Sequence, residues 1–209
     1  MFKHILLGLR YPCESKQITM KKIFLSLVSI LVAGAAVAQG NWSLEKAHSK
    51  LGFAISHLTV SEVEGGFKSF DAKITTSKED FSDGVVELTA EVASITTDND
   101  GRDKHLQSPD YFDAAKFTTL TFKSKSFTKV DGKKYKVTGD LTMHGVTKPV
   151  TLDVVFNGTI EHPRSKKTIA GFKISGTLKR TDFGIAVDTP AAMLGDEIII
   201  HANTEFVKG

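Results

Sequence analysis

At 209 residues, 41% hydrophobic and 24% charged, the chain has the composition of one globular domain rather than a disordered or collagenous one. A single cysteine, Cys13, excludes a disulfide framework and any cysteine-based metal centre. The formal charge of +3 hints at an acidic partner, but its distribution removes the hint.

The basic excess lies at the N-terminus. Lys21 and Lys22 precede an apolar run from Ile23 to Val32 that passes into Ala36-Val37-Ala38, the small-residue shape read by signal peptidase. The run is shorter than the roughly 20 residues of a membrane span. Residues 1–38 are therefore expected to be an upstream extension and a cleavable signal peptide, either an unusually long leader from Met1 or a complete one starting at Met20, and 39–209 the functional barrel domain. Export to the periplasm or outside the cell follows. Losing Lys3, Arg10, Lys16, Lys21 and Lys22 with Glu14 takes the 27 basic and 24 acidic residues to 22 and 23. The remaining charge is about −1, and no nucleic-acid partner is expected.

Beyond the leader the pattern is period-two alternation over eight segments: 51–60, 66–76, 84–96, 117–127, 134–143, 149–160, 168–180 and 196–207. Leu51, Phe53, Ile55 and His57 share one face of the first, and Phe70, Ala72 and Ile74 one face of the second. Leu88, Phe122, Leu141, Phe156, Phe172 and Ile200 continue the apolar face, while Lys, Thr, Glu, Asp and Ser fill the other. Breaks are marked by Gly65-Gly66, Ser82-Asp83-Gly84, Asp131-Gly132, His144-Gly145 and Lys148-Pro149. The alternation predicts an all-β fold, an eight-stranded antiparallel up-and-down barrel. One short helix over 100–108, in the connection between the third and fourth strands, is expected to start at Asp98, Asn99 or Asp100 and to end before Pro109.

In such a meander the two longest connections, 97–116 and 181–195, fall at the same end as His57-Leu58 and His144-Gly145. That end is expected to be a mouth with a lid. Around it stand His57, the cluster Arg102 to His105, His144, and the apolar lid residues Phe112, Phe183 and Met193. The inner face interleaves Ala72, Ala90, Gly139, Gly176 and Ala202 with larger side chains, so it does not fill the barrel uniformly. A closed void of about 400 Å³ would cost roughly 10 kcal/mol, comparable to a whole domain's stability. Such a space calls for an occupant, and an apolar tail gains about 0.8 kcal/mol per buried methylene. Phe53, Ile55, Phe70, Leu88, Phe122, Leu141, Phe156 and Phe172 are the expected tail contacts.

Catalytic signatures are weak. Six histidines remain after cleavage without H-x-H or H-E-x-x-H spacing, so no metal and no cofactor is expected. There is no G-x-S-x-G, and Ser108, Asp103 and His105 amount to ordinary loop composition. Lys123, Lys125, Lys134 and Lys136 stripe an outer hairpin, which fits edge protection and also allows transient contact with an anionic membrane.

Several segments together resemble one family. They include Trp42-Ser43-Leu44, His48-Ser49-Lys50-Leu51-Gly52-Phe53, Gly65-Gly66-Phe67, Arg102-Asp103-Lys104-His105-Leu106, Tyr111-Phe112-Asp113, Gly139 to Val150 and Arg180-Thr181-Asp182-Phe183-Gly184. In this order they are similar to the YceI-like lipid/polyisoprenoid-binding proteins, from about Trp42 to Phe206. The resemblance implies a lipocalin-like barrel, exported, holding a long isoprenoid or related amphiphile, with no accepted catalytic residues. It also brings Arg180 and Asp182 to the mouth as head-group contacts. The expected function is binding, sequestration or transport of an isoprenoid or fatty-acyl lipid in the cell envelope, not catalysis. The alternatives are a histidine-dependent enzyme acting on such a lipid, and an envelope-stress protein-interaction module; a homodimer is compatible with each.

Overall fold

The computed structural model describes residues 40–209; the expected leader and its cleavage point lie outside the described residues. Alternating side chains build one continuous antiparallel sheet from strands β1 (Gly40–Leu44), β2 (Lys50–His57), β3 (Ser61–Phe67), β4 (Phe70–Thr76), β5 (Val85–Glu91) and β6 (Ile95–Thr96). After helix α1 (Asp100–Leu106) it continues with β7 (Thr119–Asp131), β8 (Lys134–Met143), β9 (Val146–Glu161), β10 (Thr168–Lys179) and β11 (Leu194–Lys208). Strand β1 pairs with both β4 and β11, so the sheet closes on itself. Closure leaves no strand wholly at an edge, although β9 and β10 part from each other beyond Asp153 and Ser175.

Eleven pieces make eight walls because three long strands are each broken once. Strand β11 pairs along its length first with β2 and then with β1, which places β1 and β2 end to end in one wall. Likewise β3 pairs with β2 and β6, while β4 pairs with β1 and β5. The barrel is therefore eight-stranded, antiparallel and closed.

Four details differ from the sequence expectation. Gly65-Gly66 is not a break but part of β3, opposite Phe53 and Gly52 of β2, and the turn falls at 58–60 instead. Strand β1 was not expected, since five residues offer too few alternations to register, yet its Trp42 and Leu44 are buried in the core. The helix does not lie between the third and fourth strands of the observed order: the breaks raise the count, and it follows β6. Asn99 caps it, accepting from the Arg102 amide at 2.9 Å. Lys148-Pro149 is not a break but part of β9. Pairing of β9 with β10 ends at Asp153 and Ser175, so around Pro149 β9 is bonded to β8 alone. A proline without an N–H is tolerated where one side of the strand has no partner.

The end opposite α1 is closed by side chains. Phe81, fully buried with φ +60°, lies 5.0 Å from the Trp42 ring and 5.1 Å from each of Phe156 and Phe172. The loop that carries it is pinned by the Tyr135 hydroxyl, which donates to the Asp80 carbonyl at 2.8 Å. Asp83 anchors the same loop by accepting from the Thr76 and Ser77 hydroxyls and the Ser77 amide. These bonds hold its carboxyl below the ordinary carboxylate range.

Candidate functional site

Above this aromatic floor the barrel encloses a cavity of about 390 Å³, lined almost wholly by apolar side chains. Seven of the eight expected tail contacts, Phe53, Ile55, Phe70, Leu88, Phe122, Leu141 and Phe172, are on its wall. Phe156 is not: it stacks on Phe172 at 5.2 Å and belongs to the floor. A register shift opposite Gly171/Phe172, with Asn157 unmatched across the ladder, accompanies this change of place. Gly139 has a steric reason on the wall. A Cβ there would stand 2.4 Å from the Lys123 carbonyl oxygen and 2.6 Å from Phe122 Cζ, so only glycine lets the Phe122 ring lie across β8.

The two long connections do meet over the opposite end. Ala186 donates its amide to the Asp110 carbonyl at 2.9 Å, and His144 Nδ1 lies 3.1 Å from the Phe183 carbonyl oxygen. His57, Arg102, His105 and Phe112 all line the cavity here, together with Thr97, Leu106, Tyr111, Ile185 and Leu194. The Asp103 carboxylate orders this rim by accepting from the Thr97 amide at 2.7 Å and its hydroxyl at 2.6 Å. Burial raises the Asp103 pKa, but these Thr97 bonds outweigh it and hold the carboxyl below its ordinary value. Arg102 in turn donates from Nε to Thr97 Oγ1 at 2.7 Å and from Nη2 to the Thr97 carbonyl at 2.9 Å. The His105 ring lies 4.8 Å from Tyr111, edge to face.

Other expected mouth residues are placed differently. Arg180 borders the cavity but is only 2% exposed, and its five N–H groups donate to the carbonyls of Gly195, Ile185, Ala186, Thr189 and Leu194. It folds the 181–193 loop and has no donor left for a head group. Phe183 is buried and Asp182 exposed, and neither is on the cavity wall, nor are His144 and Met193. Their side chains belong to the lid's own packing or its outer surface.

The cavity wall carries His57, Arg102, His105 and Arg180 but no aspartate, glutamate or lysine. Charged and imidazole groups are confined to the mouth, and below them the wall is apolar except for Thr204, which sits opposite Phe172 near the floor. Three of the four outer stripe lysines are ion-paired instead: Lys123 with Glu87 at 3.1 Å, Lys125 with Asp140 at 2.7 Å and Lys136 with Asp153 at 2.7 Å. Among the described residues no three His, Cys, Asp or Glu side chains converge on a metal-sized site.

Residues 42–206 match the model of the YceI-like domain, which covers nearly all of the described barrel. The chain belongs to the YceI-like family. A UPF0312 protein of Staphylococcus aureus (strain N315) is 39% identical over 170 residues, 79% of this chain and 96% of that protein. Among solved YceI-like structures, that of the Campylobacter jejuni YCEI protein is 35% identical with TM-score 0.67, over 74% of this chain and 90% of the other. Burkholderia cenocepacia BcnA superposes with TM-score 0.69 at 25% identity, covering 78% of this chain and 98% of BcnA. A polyisoprenoid binding domain from Saccharophagus degradans shares the fold, with TM-score 0.59 at 16% identity over 80% of this chain and 98% of that one.

Proposed function

We propose that this YceI-like protein binds one long-chain amphiphile, an isoprenoid or fatty-acyl lipid, with its tail in the barrel and its head at the mouth. The observation that carries this reading is the segregated cavity: about 390 Å³, apolar to its floor apart from the Thr204 hydroxyl, with histidine and arginine side chains only at the open rim. That volume is within the range of about 300–1,000 Å³ usual for small-molecule sites. The Saccharophagus degradans neighbour, described as polyisoprenoid-binding, supports the choice of an isoprenoid as ligand class. The leader supports action in the cell envelope, where such a container shields a tail from water between membranes. Arg102 and His105, with His57, are the head-group contacts; Arg180 acts by holding the lid that carries Ile185.

The reading is carriage without chemistry. Among the described residues His57, His105 and His144 have no carboxylate partner of the kind that orients a catalytic base. Organic extraction and native mass spectrometry of the purified protein are expected to yield a lipid at up to one per chain. Phe122→Trp, which enlarges a wall side chain in mid-barrel, is expected to abolish that occupancy while the chain stays folded. A protein that never retains an amphiphile, even when offered one, would overturn the proposal, as would full occupancy in the Trp variant.

A further inference from the structure

Eight large apolar side chains are exposed on the described surface, and four of them, Leu58, Val60, Val187 and Met193, belong to loops at the mouth. The Leu58 amide donates to the Met193 carbonyl at 3.0 Å, beside the paired His57 and Leu194. Val187 follows Ala186, which is bonded to Asp110 of the other long connection. The turn from β2 to β3 is held awkwardly: Leu58 and Thr59 are consecutive left-handed residues, with φ +52° and +61°. Asn-Gly fills such a turn without strain, whereas here a leucine 49% exposed occupies its tip. Backbone strain that leaves an apolar side chain in water serves no packing purpose, and such outliers cluster where function uses them.

This apolar rim is continuous with the cavity, since Leu194 on the wall directly follows Met193 and Val63 on the wall stands three residues beyond Val60. A lipid entering the barrel without crossing water needs a bilayer pressed against that rim. Electrostatics selects the kind of surface. Three of the four stripe lysines are already paired with carboxylates, and the exposed charges on the mouth loops are mostly acidic, Glu62, Asp98, Asp100, Asp110, Asp182 and Asp188 against Arg102, Lys104 and Lys116. Attraction to anionic lipid is thereby cancelled, and apolar insertion remains.

We propose that Leu58, Val60, Val187 and Met193 form a docking face for a zwitterionic lipid bilayer, through which the amphiphile passes into the barrel. The proposal rests on the cargo reading above. The test is co-sedimentation of the purified chain with phosphatidylcholine vesicles, at low and high salt, alongside uptake of a fluorescent fatty acid delivered from ethanol. Wild-type protein is expected to bind the vesicles with little salt dependence. Val60→Ser with Met193→Ser is expected to weaken that binding about a hundredfold, near tenfold per side chain, and to slow uptake from vesicles while leaving uptake from ethanol unchanged. Ile160→Ser, at an exposed site near the floor end, is the control and is expected to change neither. Absence of wild-type vesicle binding, or equal loss in the Ile160 control, overturns the docking face. Rim-dependent vesicle binding by a wild-type chain that takes up nothing from ethanol upholds the docking face and overturns the cargo reading alone.

Discussion

Arg180 shows how one side chain can fold a functional loop without touching a ligand. Its buried guanidinium replaces water for three lid carbonyls and two at the start of β11 with a planar fork that lysine cannot reproduce. Arg180→Lys is therefore expected to lower stability by about 2–4 kcal/mol, read as a reduced midpoint in urea unfolding. A midpoint unchanged from wild type would mean that the loop holds itself. Nothing in the residues Arg180 to Gly184 distinguishes this role from ligand contact, because both need an arginine near the mouth. Arg102 was legible at the mouth because it lies within the capped helix of the long connection; the carbonyls that engage Arg180 come from residues up to fifteen positions away, brought close only by the fold.

At the scale of the element, the β4–β5 loop is the piece that turns a tube into a cup. Phe81→Ala is expected to cost about 3–5 kcal/mol, typical of emptying a buried aromatic site, and to deepen the cavity toward Trp42. Chemical denaturation checks the first effect, and a longer preferred acyl chain checks the second. Asp83 makes the same loop sensitive to acid. Its folded-state pKa is depressed, first by the Ser77 and Thr76 hydroxyl bonds, so its stabilisation is complete above the ordinary value of 3.8 and is lost as pH falls below it. Thermal unfolding followed from neutral pH down to about pH 3 should show a fall in Tm that Asp83→Asn diminishes. An equal fall in the variant would assign the acid sensitivity elsewhere. Sequence marked Ser82-Asp83-Gly84 as a turn but gave no sign that Phe81 folds inward, since one aromatic in a polar loop breaks no pattern.

For the whole molecule, the relevant quantity is linkage between ligand and fold. A lipid bound to the native barrel and not to the unfolded chain stabilises by about 2.7 kcal/mol at a hundred times its Kd. Stripping the protein of lipid is expected to lower Tm by about 5–10 °C for a domain of this size, with recovery when an amphiphile is returned. Calorimetry that finds no difference between stripped and reloaded protein would argue against a ligand in the lumen.

The eight-walled barrel and most of its inner face were readable in the chain because strand side chains alternate strictly, so that one face of each strand must be dry. Phe53, Phe70, Leu88 and Phe122 reach the cavity wall by that parity alone. The short helix was legible for a similarly local reason, with Asn99 one of three candidate caps and the cap's hydrogen bond spanning three positions. Tertiary structure alone decided the rest. Strand β1 gains its place by pairing with β4 and β11, Phe156 joins the floor because Phe81 from the β4–β5 loop packs on it, and Arg180 turns to carbonyls of a returning loop. Each of these depends on partners distant in sequence, which alternation and local turn chemistry do not encode.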